Sequence, residues 1–175
     1  RGGASAGERL FLSGSIGDAG LALQRLQDHM PLTADDAYLR QRLDRPTPRV
    51  ALGRLLLGRA RAAIDVSDGL IADLGHICSA SGVGARVELD LLPVSAPVAA
   101  ACAGGNWLHA LAGGDDYELL FSVDESQIDA MHSACRAAGQ QIQEIGRLVD
   151  DCGIVLVYPD GRESKEVPSG FDHFR

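Results

Sequence analysis

The chain has 175 residues, 46% hydrophobic and 23% charged, which suits one folded domain with its own core and excludes a disordered or fibrous segment. A formal net charge of -8 excludes a basic surface for nucleic acid, and it means that any phosphorylated ligand must approach with metal cations to screen it. The apolar runs are too short to cross a bilayer, and no signal-peptide pattern is present.

Residues 8–13 read as a strand, and Gly14-Ser15-Ile16-Gly17-Asp18 turns it into a helix over 19–29 that carries Leu21, Leu23 and Leu26. A more polar helix over 35–43 is expected to lie on the surface, broken by Pro46 and Pro48, and 50–57 reads as a short helix. Residues 62–66 form a short apolar strand. The clearest helix follows over 69–79, with Leu70, Ile71, Leu74 and Ile77 on one face, and Gly82 and Gly84 end that region. Then come a strand over 85–89, a small-residue helix over 97–103, a helical turn over 107–111 and a strand over 117–123. A helix over 126–138 turns Ile128 and Met131 inward and is closed by Gly139. Strands over 142–149 and 154–158 flank Asp150-Asp151-Cys152-Gly153, a spacing that predicts a hairpin. The polar tail ends in Phe171-Asp172-His173-Phe174, whose two aromatics call for burial. The order predicts an α/β fold, a mixed β-sheet with helices packed on its faces, as a single domain over 1–175.

The chain begins at Arg1 rather than Met, so it is expected to be the C-terminal part of a longer protein whose N-terminal domain is absent from this sequence. The four cysteines, Cys78, Cys102, Cys135 and Cys152, contain no C-x-x-C pair. They argue against structural zinc and read as buried reduced thiols of a cytoplasmic protein.

Two acidic turns beside apolar strands carry the chemistry. In Asp65-Val66-Ser67-Asp68-Gly69, Ser67 or Asp68 can cap the helix that follows, which leaves Asp65 needing another partner. Asp65 and Asp68 could instead share Mg²⁺, which usually takes one or two carboxylates together with substrate phosphates, and Ser67 could donate to a phosphate oxygen. In Gly113-Gly114-Asp115-Asp116-Tyr117-Glu118, the glycines allow close ligand approach, and strand alternation puts Asp116 and Glu118 on one side and Asp115 and Tyr117 on the other. A solvated acidic turn is the plainer alternative, but these acids run straight into Leu119-Leu120-Phe121, and buried acids need partners. Gly14 to Asp18 lacks the lysine and spacing of a phosphate-binding P-loop and reads as a structural turn.

Together, Ile64-Asp65-Val66-Ser67-Asp68-Gly69-Leu70 and Gly113-Gly114-Asp115-Asp116-Tyr117-Glu118-Leu119-Leu120-Phe121 resemble the C-terminal domain of the thiamine-monophosphate kinase family. That family belongs to the superfamily of aminoimidazole ribonucleotide synthetase and selenophosphate synthetase. The opening Arg1-Gly2-Gly3-Ala4, the Gly14 to Asp18 turn and the closing Phe171-Asp172-His173-Phe174 extend the resemblance along the whole chain. The resemblance implies phosphorylation of thiamine phosphate to thiamine diphosphate, with ATP as co-substrate and Mg²⁺ as cofactor. It implies Mg²⁺ on Asp65 and Asp68, ATP on Arg1 and Ser67, and thiamine phosphate on Asp115 and Phe171, with Asp116 and Glu118 in support. Asp115 stands where relatives often have Glu. The partners implied are the protein's own N-terminal domain and a second copy in a homodimer, with neither nucleic acid nor membrane. The competing expectations are another ATP-using member of the superfamily, of the selenophosphate synthetase or hydrogenase-maturation type, and a non-catalytic nucleotide- or metal-binding module.

Overall fold

The computed structural model describes residues 1–30 and 34–168, and the predicted elements within them appear in the expected chain order. Strands β1 (Arg9–Leu12), β2 (Ala60–Val66), β3 (Gly84–Glu88), β4 (Glu118–Val123), β5 (Gln143–Val149), β6 (Ile154–Val157) and β7 (Glu163–Ser164) form one sheet in the order β2-β4-β1-β5-β3-β6-β7. All pairings are antiparallel except that of β3 with β6. The helices are α1 (Asp18–Gln27), α2 (Ala34–Asp44), α3 (Val50–Leu56), α4 (Leu70–Ser81), α5 (Ala96–Cys102), α6 (Leu108–Ala112) and α7 (Ile128–Ala137).

The period of two along the strands divides the core into two layers. Leu10 and Leu12 of β1 join Ile64 and Val66 of β2, and pack with Leu21 of α1, Leu70, Leu74 and Ile77 of α4, Val98 of α5 and Leu111 of α6. Phe11, between them in sequence, belongs to the other layer with Phe121 and Val123 of β4, Leu52 and Leu56 of α3, and Met131 and Cys135 of α7. The rings of Phe11 and Phe121 stack with centroids 5.7 Å apart. Helices therefore cover both faces of a mixed sheet, as the pattern predicts. Among the described residues, no helix is long and apolar enough to cross a membrane.

The predicted hairpin between β5 and β6 does not form. The chain does reverse at 150–153, but the turn splays by one strand width and β3 lies between its two arms, antiparallel to β5 and parallel to β6. The turn crosses the start of β3: the Ala85 N–H donates to the Gly153 carbonyl at 2.9 Å. A Cβ at position 84 would sit 1.8 Å from the Asp151 carbonyl oxygen, so only glycine admits this crossing. The polar tail adds the two-residue strand β7 beside β6, which the sequence pattern did not signal. Helix α2 is less peripheral than expected, because Leu39 is fully buried. Three cysteines are buried and reduced, whereas Cys152 is exposed on the splayed turn, contrary to expectation. Phe171 and Phe174 lie outside the described residues, so the expected burial of the tail aromatics does too.

Candidate functional site

Topology gathers the motifs. Both β1 and β2 run antiparallel to β4, so their C-terminal ends lie beside the start of β4. The turns at 14–18, 65–69 and 113–117 consequently meet at one end of the sheet. Backbone bonds join the two acidic turns, with the Asp115 N–H donating to the Ser67 carbonyl at 2.9 Å and the Tyr117 N–H to the Val66 carbonyl at 2.8 Å. A Cβ on Gly114 would lie 2.6 Å from the Ser67 carbonyl oxygen, so the approach depends on glycine there. The first turn is tied in by Asp116, whose carboxylate accepts from the Gly17 N–H at 2.6 Å and the Ala19 N–H at 3.2 Å.

The acids here fall into two groups. The first is buried and engaged by protein donors. Glu118 is 1% exposed and accepts from Arg49 Nε and Nη2, both at 2.6 Å, from Arg42 Nη2 at 2.9 Å and from Ser13 Oγ at 2.5 Å. Asp18 is fully buried and accepts from Ser95 Oγ at 2.5 Å, Ser15 Oγ at 2.6 Å, Tyr38 Oη at 3.1 Å and Arg42 Nε at 3.2 Å. Burial pushes the Asp116 carboxyl up to about 7, against the two backbone donors that favour its charged form. Burial acts to lower the Arg42 guanidinium, yet Glu118, Asp18 and Asp116 together hold it above its ordinary value.

Asp73 belongs to the same group. It accepts from the N–H groups of Ser67 at 2.9 Å and Asp68 at 3.0 Å, reaching back from the first turn of α4. Its carboxyl is raised by burial, with Asp68 and Asp65 pushing the same way against those two bonds. This corrects the expected cap. The residue before α4 is Gly69, no side chain caps it, and neither Ser67 nor Asp68 takes that role. Asp73 supports their backbone instead.

The second group faces outward. Asp65 is exposed, and Ser67, Asp68 and Asp115 are half-buried. Asp115 accepts from the Tyr117 hydroxyl at 3.2 Å. That hydroxyl is pushed up by Asp115 first, and also by Asp65 and Asp68, so the four groups share one electrostatic field. Asp116 and Glu118 are buried and Asp115 and Tyr117 lie toward solvent, as expected, but not through strand alternation, because β4 starts only at Glu118 and Asp115 and Tyr117 have φ of 67° and 50°.

The structure thus brings Asp65, Ser67, Asp68 and Asp115 together over Asp116 and Glu118. It does not bring Arg1 to them. Gly2 lies against Ala80, and the Ala4 N–H donates to Ser81 Oγ at 3.2 Å, at the opposite end of α4, a helix about 18 Å long. Phe171 lies outside the described residues. Sequence reasoning missed Arg42, Arg49, Ser13 and Asp73. The need of Glu118 for cations was readable from its place beside an apolar run, but nothing local singled out these two arginines.

Among the described residues, no group of three or more His, Cys, Asp or Glu side chains is arranged to hold a metal ion on its own. Asp65 is exposed and Asp68 half-buried on the same turn, and two carboxylates are the number that Mg²⁺ usually takes, with waters and substrate phosphates for the rest of its shell.

Comparison with known proteins places the chain in a family. The family described as AIR synthase related protein, C-terminal domain, matches residues 5–159. The thiamine-monophosphate kinase of Salmonella typhimurium is 41% identical over 177 residues, which cover 99% of this chain and 54% of that protein. The crystal structure of thiamine-monophosphate kinase from Stenotrophomonas maltophilia K279a superposes with a TM-score of 0.81 at 42% identity, covering 91% of this chain and 52% of that one. The structure of AaThiL complexed with AMPPCP and TMP gives 0.80 at 31% identity, covering 98% of this chain and 53% of that one. The chain spans about half the length of the curated relatives it matches. It belongs to the family of AIR synthase related proteins, C-terminal domain, and resembles thiamine-monophosphate kinases along 99% of its length.

Proposed function

We propose that the chain is the C-terminal domain of a thiamine-monophosphate kinase, which converts thiamine phosphate to thiamine diphosphate by direct in-line transfer from ATP with Mg²⁺. The observation that carries this reading is the division of the acids. Asp18, Asp73, Asp116 and Glu118 are buried within the frame, and Asp65, Asp68 and Asp115 are more accessible on it. Similarity to proteins named thiamine-monophosphate kinase, and to one solved with AMPPCP and TMP, supports the choice of substrates.

In this reading Asp65 and Asp68 hold Mg²⁺, the Ser67 hydroxyl contacts ATP, and Asp115 and Phe171 contact thiamine phosphate. Arg1, at the far end of α4, makes an ATP contact separate from the Asp65–Asp68 turn. Asp116 and Glu118 position the turns rather than touch substrate. When bound, Mg²⁺ neutralises the meeting polyanions and aligns the transfer. The acceptor phosphate is already anionic at neutral pH, so no strong general base is required of the chain, and a phosphoenzyme is not invoked. The site is completed by the protein's own N-terminal domain, within a cytoplasmic homodimer, and the isolated chain is inactive.

The test is Asp68→Asn in the full-length protein. Turnover should fall by more than about 10²-fold with little change in melting temperature, as removal of a metal ligand requires. Equal losses of turnover and stability would assign Asp68 to the frame instead.

A further inference from the structure

Tyr117 is 44% exposed, so the core does not hold its ring. Its φ is 50°, in the left-handed region where a bulky side chain is a genuine outlier and glycine is favoured. Asp115, two residues earlier, has φ 67°. The surroundings enforce both conformations. The N–H groups of Asp115 and Tyr117 are held by the Ser67 and Val66 carbonyls, and the intervening Asp116 is pinned by Gly17 and Ala19. Strain of this kind persists only where it is over-determined, and it gathers at ligand sites.

Glycine would occupy this backbone with less strain. What tyrosine adds is an exposed aromatic face and a hydroxyl that donates to Asp115 Oδ1 at 3.2 Å. The negative charges of Asp115, Asp65 and Asp68 push that hydroxyl further up from its ordinary value, Asp115 most of all. An aromatic face among carboxylates attracts a ring that carries positive charge. A thiazolium is such a ring, and a nucleotide phosphate is not.

We propose that Tyr117 is a specificity-determining substrate contact, its ring facing the cationic ring of thiamine phosphate and its hydroxyl orienting Asp115. This inference rests on the thiamine-phosphate reading above. The test is steady-state kinetics of the full-length protein with ATP and thiamine phosphate, beside thermal melting, for Tyr117→Gly and Tyr117→Phe. Tyr117→Gly should melt at the same or a higher temperature, raise KM for thiamine phosphate about tenfold and leave KM for ATP unchanged. Tyr117→Phe, which keeps the ring, should stay within about threefold of the parent KM for thiamine phosphate. An unchanged KM for thiamine phosphate in Tyr117→Gly would overturn the inference alone. A fall in melting temperature with both KM values raised would overturn it in favour of a structural role. A folded parent with no turnover would overturn the functional reading and this inference with it.

Discussion

Glu118→Gln probes the frame at its most concentrated point. The substitution keeps the shape of the side chain and removes its charge. Glu118 is 1% exposed and takes two bonds from Arg49 at 2.6 Å, one from Arg42 at 2.9 Å and one from Ser13 at 2.5 Å. Glutamine offers one oxygen in place of two, so its amide nitrogen must face a donor on Arg49 in either orientation, together with Arg42 in one and Ser13 in the other. Breaking a buried ion pair from one side costs about 3–5 kcal/mol. The guanidinium side chains are 12% and 25% exposed, and Arg42 keeps Asp18, which puts the loss near the lower end, about 3 kcal/mol. For a domain of this size that lowers the melting temperature by about 6–12 °C. Urea denaturation of the full-length protein measures it, and a double-mutant cycle with Arg49→Ala should return a coupling of about 1–3 kcal/mol. A loss below about 1 kcal/mol with no coupling would refute the idea that this carboxylate clamps β4 to α2 and α3.

The raised Asp116 carboxyl sets a second expectation. Its folded value of about 7 lies above the ordinary 3.8, so its contribution to stability is complete below about 4 and is lost as pH rises through 7. Asp116→Asn cannot ionise, so its melting temperature relative to the parent should climb between pH 5 and pH 8; a constant difference would contradict the shift. Gly114→Ala places a Cβ 2.6 Å from the Ser67 carbonyl oxygen and should cost about 1–3 kcal/mol in denaturation while lowering turnover, because it pries the acidic turns apart. Unaltered stability would show that the turns have room to separate.

The layering of the fold was legible because it is written locally. Leu10, Phe11 and Leu12 alternate between two cores, and the helix pattern from Leu70 to Ile77 names its own buried face. The insertion of β3 between β5 and β6 was not, because a turn signal fixes chain reversal but not the width of the gap it spans. The acidic motifs were visible as motifs, yet their division was only half visible. The outward side of Asp115 and Tyr117 was anticipated, but from a strand that does not extend there, and the arginines that satisfy Glu118 lie 69 and 76 residues away in sequence. Asp73 looked like an ordinary position in a helix, since its role depends on the loop folding back over the first turn of α4. The cap expected of Ser67 or Asp68 failed for the same reason.

The central claim is the reaction itself. It is tested most directly by incubating the full-length protein with ATP, Mg²⁺ and thiamine phosphate and following thiamine diphosphate by ³¹P NMR, with the isolated chain as control. Thiamine diphosphate from the full-length protein and none from the isolated chain is the expected result. A folded, ATP-binding full-length protein that forms no thiamine diphosphate would contradict it.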